Sequence, residues 1–181
     1  TGAEGLYKEK GSRFISFVYP VASEEEIKNI VEGLKSKYHD ARHHCYAWRL
    51  GADKKNYRYN DDGEPSSTAG KPIYGQLLSH DVTNILLVVV RYFGGTKLGV
   101  SGLIQAYREA AADALKNSVI IEKTVDETIL VTFDYFVMND VMKVLKEENP
   151  ESLSRDFKLV CSVQLRMRQS DMPRLKERLS R

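Results

Sequence analysis

Residues 84–111 read NILLVVVRYFGGTKLGVSGLIQAYREAA. An apolar run over 84–92 leads into a turn holding Gly94, Gly95, Gly99 and Gly102, and a helix-period segment follows over 100–117. An uninterrupted apolar strand is one covered on both faces. The helix turns Leu103, Ile104, Tyr107, Ala111, Ala114 and Leu115 to one side, at the spacing that packs against a sheet. A central strand, a close turn and a packed helix predict a mixed α+β sandwich.

The flanking sequence extends that layout. Residues 13–21 (RFISFVYPV) are aromatic and β-branched and end at a proline, which predicts a strand. Ser23 and Glu26 have capping-box spacing ahead of a stripe of Ile27, Ile30, Val31 and Leu34, so a helix is predicted over 23–38. A half-buried strand is expected at 43–50, a long polar loop at 51–70, and a short helix at 70–79 with Pro72 in its first turn. Further on come a strand at 128–133, a helix at 137–148, an Asn149-Pro150 breaker, paired strands at 153–158 and 159–167, and a helix at 171–179. Strand–helix–strand–strand–helix is a ferredoxin-like order short of its expected last strand. The chain is therefore expected to divide into residues 1–124 and residues 125–181.

Composition narrows the function classes. With 42% apolar residues among 181 the chain can build real cores. Its longest apolar run, 85–90, is far below the roughly 20 residues that span a bilayer, so no membrane association is expected. Lys and Arg number 27 against 25 Asp and Glu, which argues against a purely electrostatic nucleic-acid binder and leaves room for a local basic patch. Cys45 and Cys161 form no motif and read as reduced thiols of a cytoplasmic protein.

The glycine turn sits where backbone N–H groups and a helix dipole receive anions. Gly94 and Gly99 have the glycine spacing of a Walker A loop, but Val100 stands where its lysine belongs. The plain reading is that the glycines permit positive φ and close packing. The functional reading adds Arg91 as a bidentate fork and Lys97 as a mobile charge.

A second constellation, DDGEPSSTAGKP at 61–72, gathers Asp61, Asp62, Glu64, Ser66, Thr68 and Lys71. A DG turn followed by a Ser/Thr-capped helix accounts for it, and a polar binding or hydrolytic loop is the alternative. His43 and His44 are adjacent on a strand and point to opposite faces, so no metal site is expected. Tyrosines, Trp48 and Phe93 interleave with cations, best exposed in KKNYRYNDDG at 54–63, the pattern that stacks and neutralises single strands. The two aspartates of that stretch oppose phosphate.

HHCYAWRLG, DDGEPSSTAGKPI and LVVVRYFGGTKLGVSGLIQAYREAA, in this order, resemble the signature segments of the IMPACT family, in particular its bacterial two-domain YigZ-type members. The resemblance covers roughly residues 5–120. It implies a first domain like domain 2 of ribosomal protein S5 and a ferredoxin-like second domain like the last domain of the translocating elongation factor. Both relatives work on ribosomal RNA, and eukaryotic IMPACT proteins restrain the kinase pathway that shuts down translation initiation.

The leading expectation is a non-enzymatic, cytoplasmic RNA- or ribosome-associated protein that modulates translation, with no cofactor and no metal. Its binding face is expected to combine Arg91, Gly94, Gly95, Lys97 and Gly99 with His44, Arg49 and the 61–72 loop. No residue is assigned a catalytic role. The rivals are a hydrolase or phosphate-binding protein built on Asp62, Glu64 and His44, and a protein-interaction module that would expose an apolar patch on the C-terminal half. No oligomeric state follows from the sequence.

Overall fold

The computed structural model describes residues 2–181 and divides the chain into two compact units, the first ending at Ile121 and the second spanning Glu122–Arg181. The architecture is mixed α+β with one sheet in each unit.

In the first unit the order is β1 (Ala3–Glu9), β2 (Ser12–Pro20), α1 (Glu24–Lys37), β3 (His43–Leu50), β4 (Asn56–Asn60), α2 (Gly70–Ser79), β5 (Ile85–Tyr92) and α3 (Gly99–Lys116). The five strands form an antiparallel sheet in the order β1-β2-β5-β3-β4. β5 is the middle strand, and every residue from Ile85 to Arg91 is buried. On one face Leu86, Val88 and Val90 pack with Ile27, Val31 and Leu34 of α1. On the other, Leu87 and Val89 pack with Ile73 and Leu77 of α2 and with Tyr107, Ala110 and Ala111 of α3. A helix on each side removes the alternation that an antiparallel strand otherwise shows.

Small residues set the approach of α3. A Cβ on Gly5 would lie 2.5 Å from the Ala114 nitrogen, and Ser16 donates to the Ala110 carbonyl at 2.6 Å. The N-terminus of α1 is capped as its sequence predicts, with Ser23 Oγ accepting from Glu26 N at 3.2 Å. Two strands escape the sequence reading. Residues 51–70 are not all loop, because 56–60 pair with β3, and β1 precedes the first expected strand.

The second unit holds β6 (Asp126–Asp134), a 3-10 turn at Tyr135–Val137, α4 (Met138–Glu148), β7 (Glu151–Phe157), β8 (Val160–Arg168) and α5 (Met172–Leu179). Its antiparallel sheet has the order β6-β8-β7. Val163 and Leu165 pack with Val141 and Leu145 of α4 and with Met172 and Leu175 of α5. Asn149 closes α4 in the left-handed conformation at φ 51°, where asparagine is tolerated, and Pro150 prevents continuation.

Candidate nucleic-acid interface

Strand register places Phe14, Arg91 and His43 in one row across β2, β5 and β3. Arg91 is only 6% exposed, although it was expected as an outward fork. Its Nη1 donates to Glu64 Oε1 at 2.6 Å, and the Tyr107 hydroxyl donates to the same oxygen at 2.7 Å. His43 Nε2 faces that oxygen at 3.7 Å, while His43 Nδ1 donates to the Asp62 carbonyl at 2.7 Å. The guanidinium also lies over the rings of Phe14 and Phe93, at 5.5 and 5.7 Å. A charge this deep is tolerated because a carboxylate of opposite sign is buried with it. Arg91 is thus an internal tie, not a free phosphate ligand.

Glu64 arrives from a tight turn at 61–64. Asp62 and Gly63 both have positive φ, 41° and 85°, and Glu64 N donates to the Asp61 carbonyl at 3.0 Å. The aspartates also turn inward. Asp61 accepts from Ser67 N at 2.9 Å, Ala69 N at 3.1 Å and Gly70 N at 2.8 Å. It caps α2 in place of the expected Ser/Thr residue; Thr68 Oγ1 instead donates to the Pro65 carbonyl at 2.6 Å. Asp62 accepts from His44 N at 2.7 Å and lies 3.6 Å from Lys35 Nζ. Ser66 and Lys71 remain exposed.

His44 touches this cluster only through Asp62, whose Oδ2 lies 3.6 Å from His44 Nδ1, and Arg49 does not join it. His44 lies on the α1 face, where its Nε2 donates to the Tyr38 carbonyl at 2.8 Å. Arg49 occupies the far end of β3, roughly 20 Å along the strand from His43 at about 3.3 Å per residue. There it meets Asp81 at 3.5 Å and the Lys54 carbonyl at 3.2 Å. Of the residues of the hydrolase alternative, His44 Nδ1 lies 3.6 Å from Asp62 Oδ2, while Glu64 faces His43 instead, at 3.7 Å, and among the described residues neither imidazole is hydrogen-bonded to Ser66, Ser67 or Thr68. Burial pushes the Cys45 thiol and the Tyr107 hydroxyl far above their ordinary values, so both stay protonated and serve as donors.

The glycine turn divides into a packed and an open part. A Cβ on Gly94 would fall 2.0 Å from the Gly11 carbonyl carbon, so Gly94 serves contact with the β1–β2 hairpin. Gly95 and Gly99 have φ of 89° and 74° and face open space. Lys97 is exposed, and α3 starts without a side-chain cap. Cations that the sequence reading did not single out gather at this end of the sheet. Arg42 lies 5.6 Å from the Phe93 ring, which is 43% exposed, and Arg13 lies 4.9 Å from the Tyr92 ring. The signal for Arg13 is its cross-strand register with Tyr92, which only the pairing of β2 and β5 reveals.

Residues 10–115 match the Impact N-terminal domain. The chain is 36% identical over 150 residues to the IMPACT family member YigZ of Escherichia coli (strain K12), spanning 82% of this chain and 74% of that protein. It is 34% identical over 136 residues to the IMPACT family member YvyE of Bacillus subtilis (strain 168), spanning 75% and 63%. A crystal structure of a hypothetical protein superposes with a TM-score of 0.71 at 30% identity, over 99% of this chain and 88% of that one. With its signature segments laid around one buried Glu64–Arg91 tie, the chain belongs to the IMPACT family, alongside the bacterial YigZ-type members.

Proposed function

We propose that the chain is a non-enzymatic, cytoplasmic protein that binds RNA or a ribosomal partner and modulates translation. One observation carries the RNA reading. Arg42 lies over the exposed Phe93, Lys97 stands exposed four residues further on in the turn where α3 begins uncapped, Arg13 lies over Tyr92 near Asp40, and none of the three cations is salt-bridged among the described residues. Unpaired cations next to free backbone N–H groups and an exposed ring suit phosphate and base together. The role in translation rests on the family resemblance. In the same reading residues 1–124 form an S5 domain 2-like sandwich and residues 125–181 a ferredoxin-like fold, supported by the order β6-α4-β7-β8-α5 and the sheet order β6-β8-β7.

The test is binding to single-stranded RNA, structured RNA and purified ribosomal subunits across a salt titration. Arg42→Ala/Lys97→Ala is the clean variant, because both side chains are free of the buried Glu64–Arg91 tie. The double variant is expected to weaken binding and to flatten the log–log salt slope by about 1.4, at ~0.7 per lost single-strand phosphate contact. An unchanged slope sinks this site, and a folded wild type that binds none of the three sinks the RNA reading.

A second reading, a protein partner held by the second unit, is favoured by its exposed apolar end. Phe136 is 95% and Leu159 87% exposed, and Tyr135 N donates to the Leu159 carbonyl, bringing the two segments together. A photo-crosslinking residue at position 136 would join a ribosomal protein if this reading holds, and only RNA or nothing if it does not.

A further inference from the structure

We infer that β4 and α2 carry a second surface, a tyrosine ladder that takes the unpaired bases of single-stranded RNA. The inference rests on the RNA reading above and adds the class of RNA and a separate place for it. β4 is an edge strand whose five residues are all exposed. Its register sets Tyr57 opposite Arg49 and Tyr59 opposite Ala47, so both tyrosines leave the sheet on the face that carries α2. There they meet Tyr74. The Tyr57 and Tyr74 rings stack at 4.6 Å and 15°, and the Tyr59 ring lies 5.7 Å from Tyr74, tilted by 32°. Tyr57 stays 50% exposed and Tyr59 40%. Rings that brace one another are already ordered, so a base joining the stack costs little rotamer entropy.

Charge identifies the occupant. Lys71 stands three residues before Tyr74, on the same flank of α2, and Lys55 directly precedes β4, while Arg58, opposite Trp48, leaves the strand on the other face. Neither lysine is salt-bridged among the described residues. The nearby Lys54 is held by Asp81 at 2.7 Å. Asp61 and Asp62, the acids that follow the strand, are turned inward onto the amides of α2 and of His44. Asp53 accepts from Lys55 N at 3.1 Å. The ladder is therefore flanked by free positive charge, which a phosphate chain satisfies and a proline-rich peptide does not. A duplex offers no base faces to the rings, so the surface selects unpaired nucleotides.

The experiment uses the full chain and a 12-nucleotide adenine-rich RNA carrying 2-aminopurine, with a duplex of the same sequence alongside. The wild type is expected to quench the probe on binding the single strand. Tyr57→Ala/Tyr59→Ala is expected to weaken binding about tenfold or more, within the range for lost base stacking. It should also lose the quench and leave the salt slope and duplex binding unchanged. Tyr57→Phe/Tyr59→Phe should keep both binding and quench, which separates ring stacking from the hydroxyls. A thermal melt of each variant confirms folding. Wild-type binding that both double variants retain within twofold overturns the ladder and leaves the RNA reading standing. Failure of the folded wild type to bind any RNA removes both. Capture of a proline-rich peptide without binding of single-stranded RNA also overturns the proposal.

Discussion

Arg91 Nη1 and Glu64 Oε1 meet at 2.6 Å with both side chains buried, joining the middle strand of the sheet to a surface turn 27 residues earlier. Removing one partner strands the other in the core. Glu64→Ala and Arg91→Ala are each expected to cost about 3–5 kcal/mol in urea unfolding. Glu64→Leu/Arg91→Met should cost markedly less than the sum of the two, since no lone charge remains. Additive losses would show that the two side chains act independently.

Alkaline pH should weaken the first unit. Burial raises the Cys45 thiol and the Tyr107 hydroxyl in the folded chain. The stability they add is whole below the ordinary ionisation of the unfolded groups, about pH 8.5 for the thiol and about 10 for the phenol, and falls as pH rises beyond them. Urea midpoints measured from pH 7 to 11 should decline, and Cys45→Ala/Tyr107→Phe should flatten the decline while lowering stability at pH 7. A parallel decline in wild type and variant would assign the effect to other groups.

Asp61 closes three amides, so Asp61→Ala should loosen the start of α2 by about 2 kcal/mol, the upper end for a lost cap. Hydrogen exchange at Ser67, Ala69 and Gly70 reads this directly, because their protection should fall while that of β5 holds.

The glycines of the turn should separate by mechanism. Gly94→Ala drives a methyl into the Gly11 backbone and should cost about 3 kcal/mol, at the severe end of overpacking. Gly95→Ala meets no atom within 4 Å and loses only the ease of its positive φ, about 1 kcal/mol. Equal losses in thermal melts would contradict the contact described for Gly94.

Much of the layout was legible because burial wrote it locally. The strand His43–Leu50 and the helix Gly70–Ser79 have the bounds their sequence predicts, since alternation in one and Pro72 near the start of the other mark them without help from afar. β4 was not legible, because an exposed edge strand of Asn, Tyr and Arg has no apolar alternation to show. Arg91 misled for the opposite reason. A cation at the end of an apolar run reads as exposed, and only Glu64, brought by a distant turn, makes its burial tolerable. His44 was grouped with Arg91 by proximity in the sheet, but alternation sends its ring to the other face. Asp61 caps a helix that starts nine residues later, beyond the reach of any capping pattern read along the chain.

The turn at 61–64 carries a consequence for the order of folding. Its three carboxylates reach α2, the start of β3 and the buried Arg91 and Tyr107, the last partner 43 residues away in sequence. Such a segment has nothing to hold until the sheet and α3 have already docked, and closing long loops early is entropically costly. Substitutions at Asp61 and Glu64 should therefore leave the refolding rate nearly unchanged and act almost wholly by speeding unfolding. The polar loop then works as a late latch, and its opening sets the lifetime of the native first unit.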